Sequence, residues 1–193
     1  MKIFIGACTI AAACMSSAAY AEAFSGVYAG GIVGYDKLSA KVSSGGVSAS
    51  ESGDAITGGA LVGYNAKVGG NFVIGAEIEG VIGGGKIGDG VDDVKTDYSL
   101  ATGVRGGFLV AERALIFAKV AYVNTRLSFD GEGENGDGFA FGGGVEVAFS
   151  DKISGRVTYM RSSYSIDEDA EAALGADVDI NRDQVLGGIV IHF

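Results

Sequence analysis

Phe72-Val73-Ile74-Gly75-Ala76-Glu77-Ile78-Glu79-Gly80-Val81-Ile82 alternates with a period of two residues. In an extended chain Phe72, Ile74, Ala76, Ile78 and Ile82 share one face, and Glu77 and Glu79 share the other. The β-branched and aromatic content marks a strand rather than a helix. Its two faces differ in kind: one is wholly apolar, the other carries carboxylates among small residues.

The same alternation recurs along the chain. Leu100, Val104, Phe108 and Val110 stand opposite Ser99, Gly103, Arg105 and Gly107; Phe139, Phe141, Val145, Val147 and Phe149 stand opposite Ala140, Gly142, Gly144, Glu146 and Ala148; Val185, Ile189, Ile191 and Phe193 share one face of the last segment. Eight such segments are expected, at about 26–36, 55–67, 71–82, 97–110, 114–126, 138–149, 152–164 and 183–193. Long polar connections (37–54, 83–96, 127–137, 165–182) alternate with short ones near Val68-Gly70, Ala111-Arg113 and Ser150-Asp151. Short connections join antiparallel neighbours. The pattern predicts an all-β fold, an eight-stranded antiparallel up-and-down barrel.

Which face looks inward decides between a soluble and a transmembrane barrel. The charged phase holds Glu77, Glu79, Arg105, Lys119, Glu146 and Arg156, with Gly and Ala around them. A soluble barrel would have to bury all six and expose the Phe, Ile and Val rows to water, an apolar surface larger than soluble monomers tolerate. Facing lipid, one cation near the bilayer midplane costs about 2–4 kcal/mol; facing a narrow lumen, the six can pair with one another. The transmembrane phase satisfies both faces, and ~10 residues at ~3.3 Å each, tilted by ~40–45°, span the ~25 Å apolar band. The six ionisable residues are thus expected to form a lumen ionic network. Tyr28, Tyr35, Tyr64, Phe108, Phe117, Tyr122, Phe149, Tyr159 and Phe193 are the expected interfacial girdle.

The chain has 193 residues, 34 of them Gly, with no Pro or Trp, two Cys, one His and a formal charge of −10. Residues 1–21 begin with Lys2, continue with an apolar run from Ile3 to Met15, and end in Ala19-Tyr20-Ala21; they are expected to be a cleaved signal peptide, leaving 22–193 as the barrel domain. Cys8 and Cys14 fall within that segment, so no disulfide is expected in the barrel. No later apolar run is long enough for a transmembrane helix. The acidity excludes nucleic acid as a partner.

Eighteen of the 24 acids, Asp36 among them, fall in the four long connections and their strand edges, accompanied by six cations including Lys37, Arg126 and Arg182. The net charge is therefore expected at one end, as an acidic outer surface. Within it, Asp130, Glu132 and Glu134 are spaced like the start of an EF-hand loop, but Phe141 stands where the bidentate Glu belongs. Gly80, Gly85 and Lys86 follow a phosphate-loop spacing until Ile87 takes the Ser/Thr position. His192 lies next to the chain end, away from the long connections, so no His-dependent triad is expected there. These residues imply no metal, no cofactor and no enzymatic activity.

FSGVYAGGIVGY (24–35), ALVGYNAKVGGNFVIGAEIEG (60–80), VRGGFLV (104–110), GFAFGGGVEVAF (138–149) and the terminal Phe193 together resemble the small opacity-type, OmpA-like outer-membrane barrels of Gram-negative bacteria. The resemblance covers the chain after residue 21. It implies a cell outer-membrane location with periplasmic termini, contact with outer-membrane lipid and lipopolysaccharide, and a last strand (Val185, Ile189, Ile191, Phe193) read by the barrel-assembly machinery. The function expected from the residues and the resemblance is structural and surface-interacting, with acidic extracellular loops serving adhesion or envelope integrity, through host or cell-surface ligands. The alternative is a narrow porin-like channel for small solutes.

Overall fold

The computed structural model describes residues 24–44, 47–83, 86–87, 94–129, 132–164 and 177–193. The expected signal peptide, with both cysteines, lies outside the described residues, as do Asp130 and the stretch 165–176. The strands are β1 (Gly26–Ser44), β2 (Val47–Val68), β3 (Phe72–Ile82), β4 (Lys86–Ile87), β5 (Val94–Ala111), β6 (Ala114–Phe129), β7 (Glu132–Ala148), β8 (Ile153–Tyr164) and β9 (Asp177–His192). Both β3 and β4 pair with β5, so the two are successive pieces of one stave, and the barrel has eight staves. Every neighbour is antiparallel, and the β1–β9 and β3–β5 pairings close the sheet. Closure removes every open edge from the spanning part.

Register fixes the tilt. From Tyr28 the cross-strand row passes Gly63, Glu77, Gly103, Ala121, Ala140, Ser162 and Arg182 and returns to β1 at Leu38, ten residues further along. For eight strands that stagger corresponds to a tilt of about 40°. Apolar side chains on the outer phase are exposed, among them Val104, Val157, Ile189 and Phe141, while the opposite phase is buried.

Six strands run further than their apolar residues suggest, β5 from Val94 and β9 from Asp177 among them. β1 continues to Ser44 and β2 begins at Val47; β6 continues to Phe129 and β7 begins at Glu132. The expected connections 37–54 and 127–137 are therefore mostly ladder. Beyond an apolar band both faces of a sheet meet water, so hydrogen bonding continues without the alternation that reveals it in sequence.

The interior is layered. At the mouth nearest the chain ends, Phe24, Val73, Leu109, Leu115, Phe117 and Ala148 form a buried apolar cluster. Phe24 has a left-handed backbone (φ 72°), and its ring is buried in that cluster. Further along the lumen, Tyr28, Ile32, Leu61, Val81, Leu186 and Val190 form a second cluster, and Ala121, Val123, Ala140 and Met160 a third. Tyr28 and Phe117, expected in the outer girdle, are buried inside instead. They share strand phase with Ile32 and Lys119, and a glycine clears space beside each: a Cβ on Gly63 would lie 2.3 Å from the Tyr28 ring, and one on Gly144 2.9 Å from that of Phe117.

Candidate functional site

Glu77 and Glu79 on β3, Arg105 on β5, Lys119 on β6, Glu146 on β7 and Arg156 on β8 are all buried in the lumen. Lys119 Nζ donates to Glu77 Oε1 (2.6 Å) and Glu79 Oε2 (3.0 Å). Arg156 donates through Nη1 to Glu77 Oε2 (2.5 Å) and through Nε to Glu146 Oε2 (3.0 Å). Arg105 Nη1 reaches the same Glu146 oxygen at 3.0 Å. Three carboxylates and three cations thus form one connected, formally neutral layer. Buried charges persist only when so matched.

Four further polar residues complete the layer. Tyr28 donates its hydroxyl to Glu77 Oε2 (2.7 Å), and Asn65 Oδ1 accepts from Arg105 Nε (3.0 Å). Ser154 donates to Glu146 Oε1 (2.6 Å), and His192 Nε2 lies 3.1 Å from that oxygen and 3.0 Å from Ser154 Oγ. The Arg105 and Arg156 guanidiniums sit 4.7 and 5.2 Å from the Tyr28 ring centroid, and 5.0 and 5.4 Å from that of Phe117, so the two rings hold both cations by their π faces. Sequence reasoning missed Asn65 and Ser154 and gave Tyr28 and His192 other places, in the girdle and at the chain end; the signal was parity, since Ser154 shares phase with Arg156 and Asn65 with Leu61.

Ser154, His192 and Glu146 have the residue types of a hydrolytic triad but not its geometry. His192 Nε2 faces both partners, and all three side chains are buried. A triad needs the acid on the other ring nitrogen and an accessible hydroxyl.

A second polar layer lies towards the long hairpins. Arg182 donates through Nε to Asp36 Oδ2 (2.7 Å) and through Nη2 to the same oxygen, and its Nη1 reaches Ser99 across the barrel. Ser99 and Thr125 hydroxyls bond at 2.9 Å, and Gln184 Nε2 donates to Asp36. Asp36 and Arg182 were counted with the outer surface charges, yet both are buried, at 0% and 1% exposure. Each shares strand phase with lumen residues, and their mutual neutralisation makes that burial tolerable.

Among the described residues, the acidic segments show strand pairing rather than an ion-binding loop. Glu132 and Glu134 belong to β7, opposite Phe129 and Leu127, so they follow a ladder rather than wrap around a centre. Among the described residues no group of three or more His, Cys, Asp or Glu could hold a metal. Gly80 lies in β3 and Lys86 in β4, with no helix among the described residues to serve a phosphate loop. At the chain end, Val185, Ile189, Ile191 and Phe193 all face outward on the apolar surface, and Phe193 N donates to Val27 O at 2.9 Å.

A closed barrel with apolar residues outside and a matched ionic layer inside is a transmembrane β-barrel. Residues 5–193 match the family described as "Outer membrane protein beta-barrel domain", and the chain belongs to that family. No curated protein sequence matches it. Among solved structures, Neisserial surface protein A is similar at 16% identity with a TM-score of 0.51, covering 84% of this chain and 97% of its own. Ail, the attachment invasion locus protein of Yersinia pestis, solved with the heparin analogue sucrose octasulfate, aligns at 13% identity and a TM-score of 0.48, covering 86% of this chain and 99% of its own. OprG from Pseudomonas aeruginosa aligns at 12% identity and a TM-score of 0.44, covering 91% and 100%. At 16% identity the likeness to Neisserial surface protein A speaks to fold alone. The chain is an outer-membrane β-barrel protein.

Proposed function

We propose that this protein is a non-conducting surface protein of the outer membrane, which presents the acidic ends of its long hairpins to the outside and keeps both termini in the periplasm. The observation that carries the reading is the lumen layer, where Arg156 bridges Glu77 and Glu146 while Arg105 and Lys119 fill the rest of the section. A solute would have to break several buried ion pairs to pass, which disfavours the channel alternative. Glu77, Glu79, Arg105, Lys119, Glu146 and Arg156 are, in this reading, an internal brace rather than a binding site.

The outward row Val185, Ile189, Ile191 and Phe193 serves as the signal for the barrel-assembly machinery, and the apolar belt contacts outer-membrane lipid and lipopolysaccharide. The acidic hairpin ends meet host or cell-surface ligands, or contribute to envelope integrity by their charge. The reading is tested in two measurements. Purified protein in planar bilayers is expected to give no reproducible conductance step, and a cysteine placed at Ser52, on the long-hairpin part of β2, is expected to react with an impermeant maleimide on intact cells. Stable unitary currents, or labelling of Ser52→Cys only after the outer membrane is breached, would overturn it.

A further inference from the structure

Seven of the eight interfaces between staves join strands that follow one another in the chain, so the connection between them limits their register. The eighth, between β1 and β9, has no such connection. Its register must be carried by side chains. The consequence is global, because the Arg182↔Leu38 pairing completes the stagger of ten; a slip of two residues would set Arg182 against Asp36 or Ala40 and make the stagger eight or twelve. Stagger fixes tilt and width together, and with them the cross-section in which Glu77 meets Arg156. A slip of one residue is excluded outright, since it would turn every side chain of β9 to the wrong face.

The two strands carry the same tetrapeptide, Gly-Gly-Ile-Val, at 30–33 and 187–190, and the two copies pair antiparallel. They are offset by one in phase. Gly30 and the buried Ile32 face the lumen from the first, Gly188 and the buried Val190 from the second. Gly30 therefore stands opposite Val190, Ile32 opposite Gly188, and Gly34 opposite Leu186, three successive inward pairs of one glycine and one aliphatic side chain. The fit is close: a Cβ on Gly30 would lie 3.1 Å from Val190 Cγ2, one on Gly188 2.6 Å from Ile32 Cγ2, and one on Gly34 2.8 Å from Leu186 Cα. At a stagger of eight, Gly30 would face Gly188 and Ile32 would face Leu186; at twelve, Gly34 would face Gly188 and Ile32 would face Val190. Either slip sets bulk against bulk beside an unfilled gap, which a close-packed interior resists.

Charge discriminates further at the long-hairpin end of this ladder. Asp36 accepts from Arg182 and Gln184, both on β9. At a stagger of eight Asp36 would still stand opposite Arg182. At twelve it would stand opposite Leu186 with Arg182 four residues away, and both charges would be left buried and unpaired.

We propose that the inward rows of β1 and β9 form a register lock for barrel closure, in which the three glycine–aliphatic pairs exclude both two-residue slips and the Asp36–Arg182 pair excludes the wider one a second time. The last strand is thereby accepted by the first in one alignment, and that alignment sizes the barrel for its ionic layer. The lock does not depend on which end faces outward or on whether the lumen conducts.

With Cys8 and Cys14 replaced by serine the chain has no thiol, so introduced cysteine pairs report the alignment. Val33→Cys, on the outer face, is combined with Gly187→Cys, Val185→Cys or Ile189→Cys, which stand opposite it at staggers of ten, eight and twelve. The protein is refolded in detergent micelles and oxidised with copper phenanthroline, and the intramolecular product is read by gel mobility; bridging needs Cα atoms within about 7 Å. The parent seam is expected to cross-link at 187 alone. Ile32→Ala, Leu186→Ala and Val190→Ala together are expected to raise the 185 product from none to a share comparable with that at 187, with 189 still absent. Adding Asp36→Asn and Arg182→Gln is expected to bring up the 189 product as well. Leu61→Ala with Val81→Ala, in the same apolar cluster but within the β2–β3 hairpin, is expected to lower stability and leave cross-linking at 187 alone. Cross-linking at 187 only in the triple variant overturns the proposal, as does slippage in the Leu61 and Val81 variant. A parent that gives no product at 187 overturns the seam itself. Should the triple variant not refold, Leu186→Ala with Val190→Ala is judged by the same products.

Discussion

Glu77 on β3 and Arg156 on β8 share no strand pairing, yet their side chains meet inside the barrel at 2.5 Å. The contact joins opposite walls, so it constrains the barrel's cross-section rather than any one hairpin. Removing one partner leaves the other buried without its counter-charge. Arg156→Met is expected to destabilise the refolded barrel by about 3–5 kcal/mol, measured by urea unfolding in lipid vesicles. A cost below ~1 kcal/mol would show that the lumen takes up enough water to screen the pair.

The apolar belt makes a depth-dependent prediction. Val104 faces outward near the middle of the band, whereas Val147 lies close to the outward Phe149 at the short-turn end. Val104→Arg is expected to cost about 2–4 kcal/mol and Val147→Arg about 0–1 kcal/mol, in the same unfolding assay. Equal costs would count against this placement of the bilayer. Ala148→Arg points the other way, into the cluster with Leu115 and Phe117, and is expected to cost more than ~1–3 kcal/mol through overpacking.

Tyr28 tests the inward assignment of a ring that resembles a girdle residue. Tyr28→Phe keeps the ring against both guanidiniums and removes only the bond to Glu77, so a loss of about 1.5–3 kcal/mol is expected for a hydrogen bond to a buried charge. Were Tyr28 an interfacial residue, the same change would be close to neutral. Comparing its unfolding with that of Tyr64→Phe, an outward tyrosine, separates the two outcomes.

Phe193→Ala should separate assembly from stability. The side chain is exposed on the outer belt, while the backbone bond to Val27 persists without it. Refolding of purified protein is expected to match that of the parent within ~1 kcal/mol, while the amount reaching the outer membrane in cells falls. Unchanged cellular levels would remove this residue from the assembly signal.

The spanning part of the fold was legible because water and hydrocarbon impose opposite demands on alternate residues. Glu77, Arg105 and Glu146 stand out as charges among Gly, Ala and apolar neighbours, and their parity assigns them inward. The tops of β1, β2, β6, β7 and β9 were not legible, since Ser39, Ser52 and Ser128 belong to ladders with no apolar face to mark them. Asp36 and Arg182 were misplaced for a related reason. Proximity to the acidic stretches outweighed their strand phase, and only pairing partners 146 residues apart in sequence show them as one neutral unit. Tyr28 and Phe117 went astray because an aromatic ring suits a lumen as well as an interface once a glycine stands beside it.

The matched charges of the lumen have an effect on how the molecule responds to its surroundings. Mobile ions shorten the reach of exposed charges to ~10 Å at about 0.1 M and hardly touch buried, paired ones. A bacterium passing from fresh water to brine would thus find the electrostatic pull of its outer carboxylates muted while the mechanical strength of the barrel stayed the same. On the proposed function, stickiness and sturdiness are set by separate groups, and each can drift in evolution without disturbing the other.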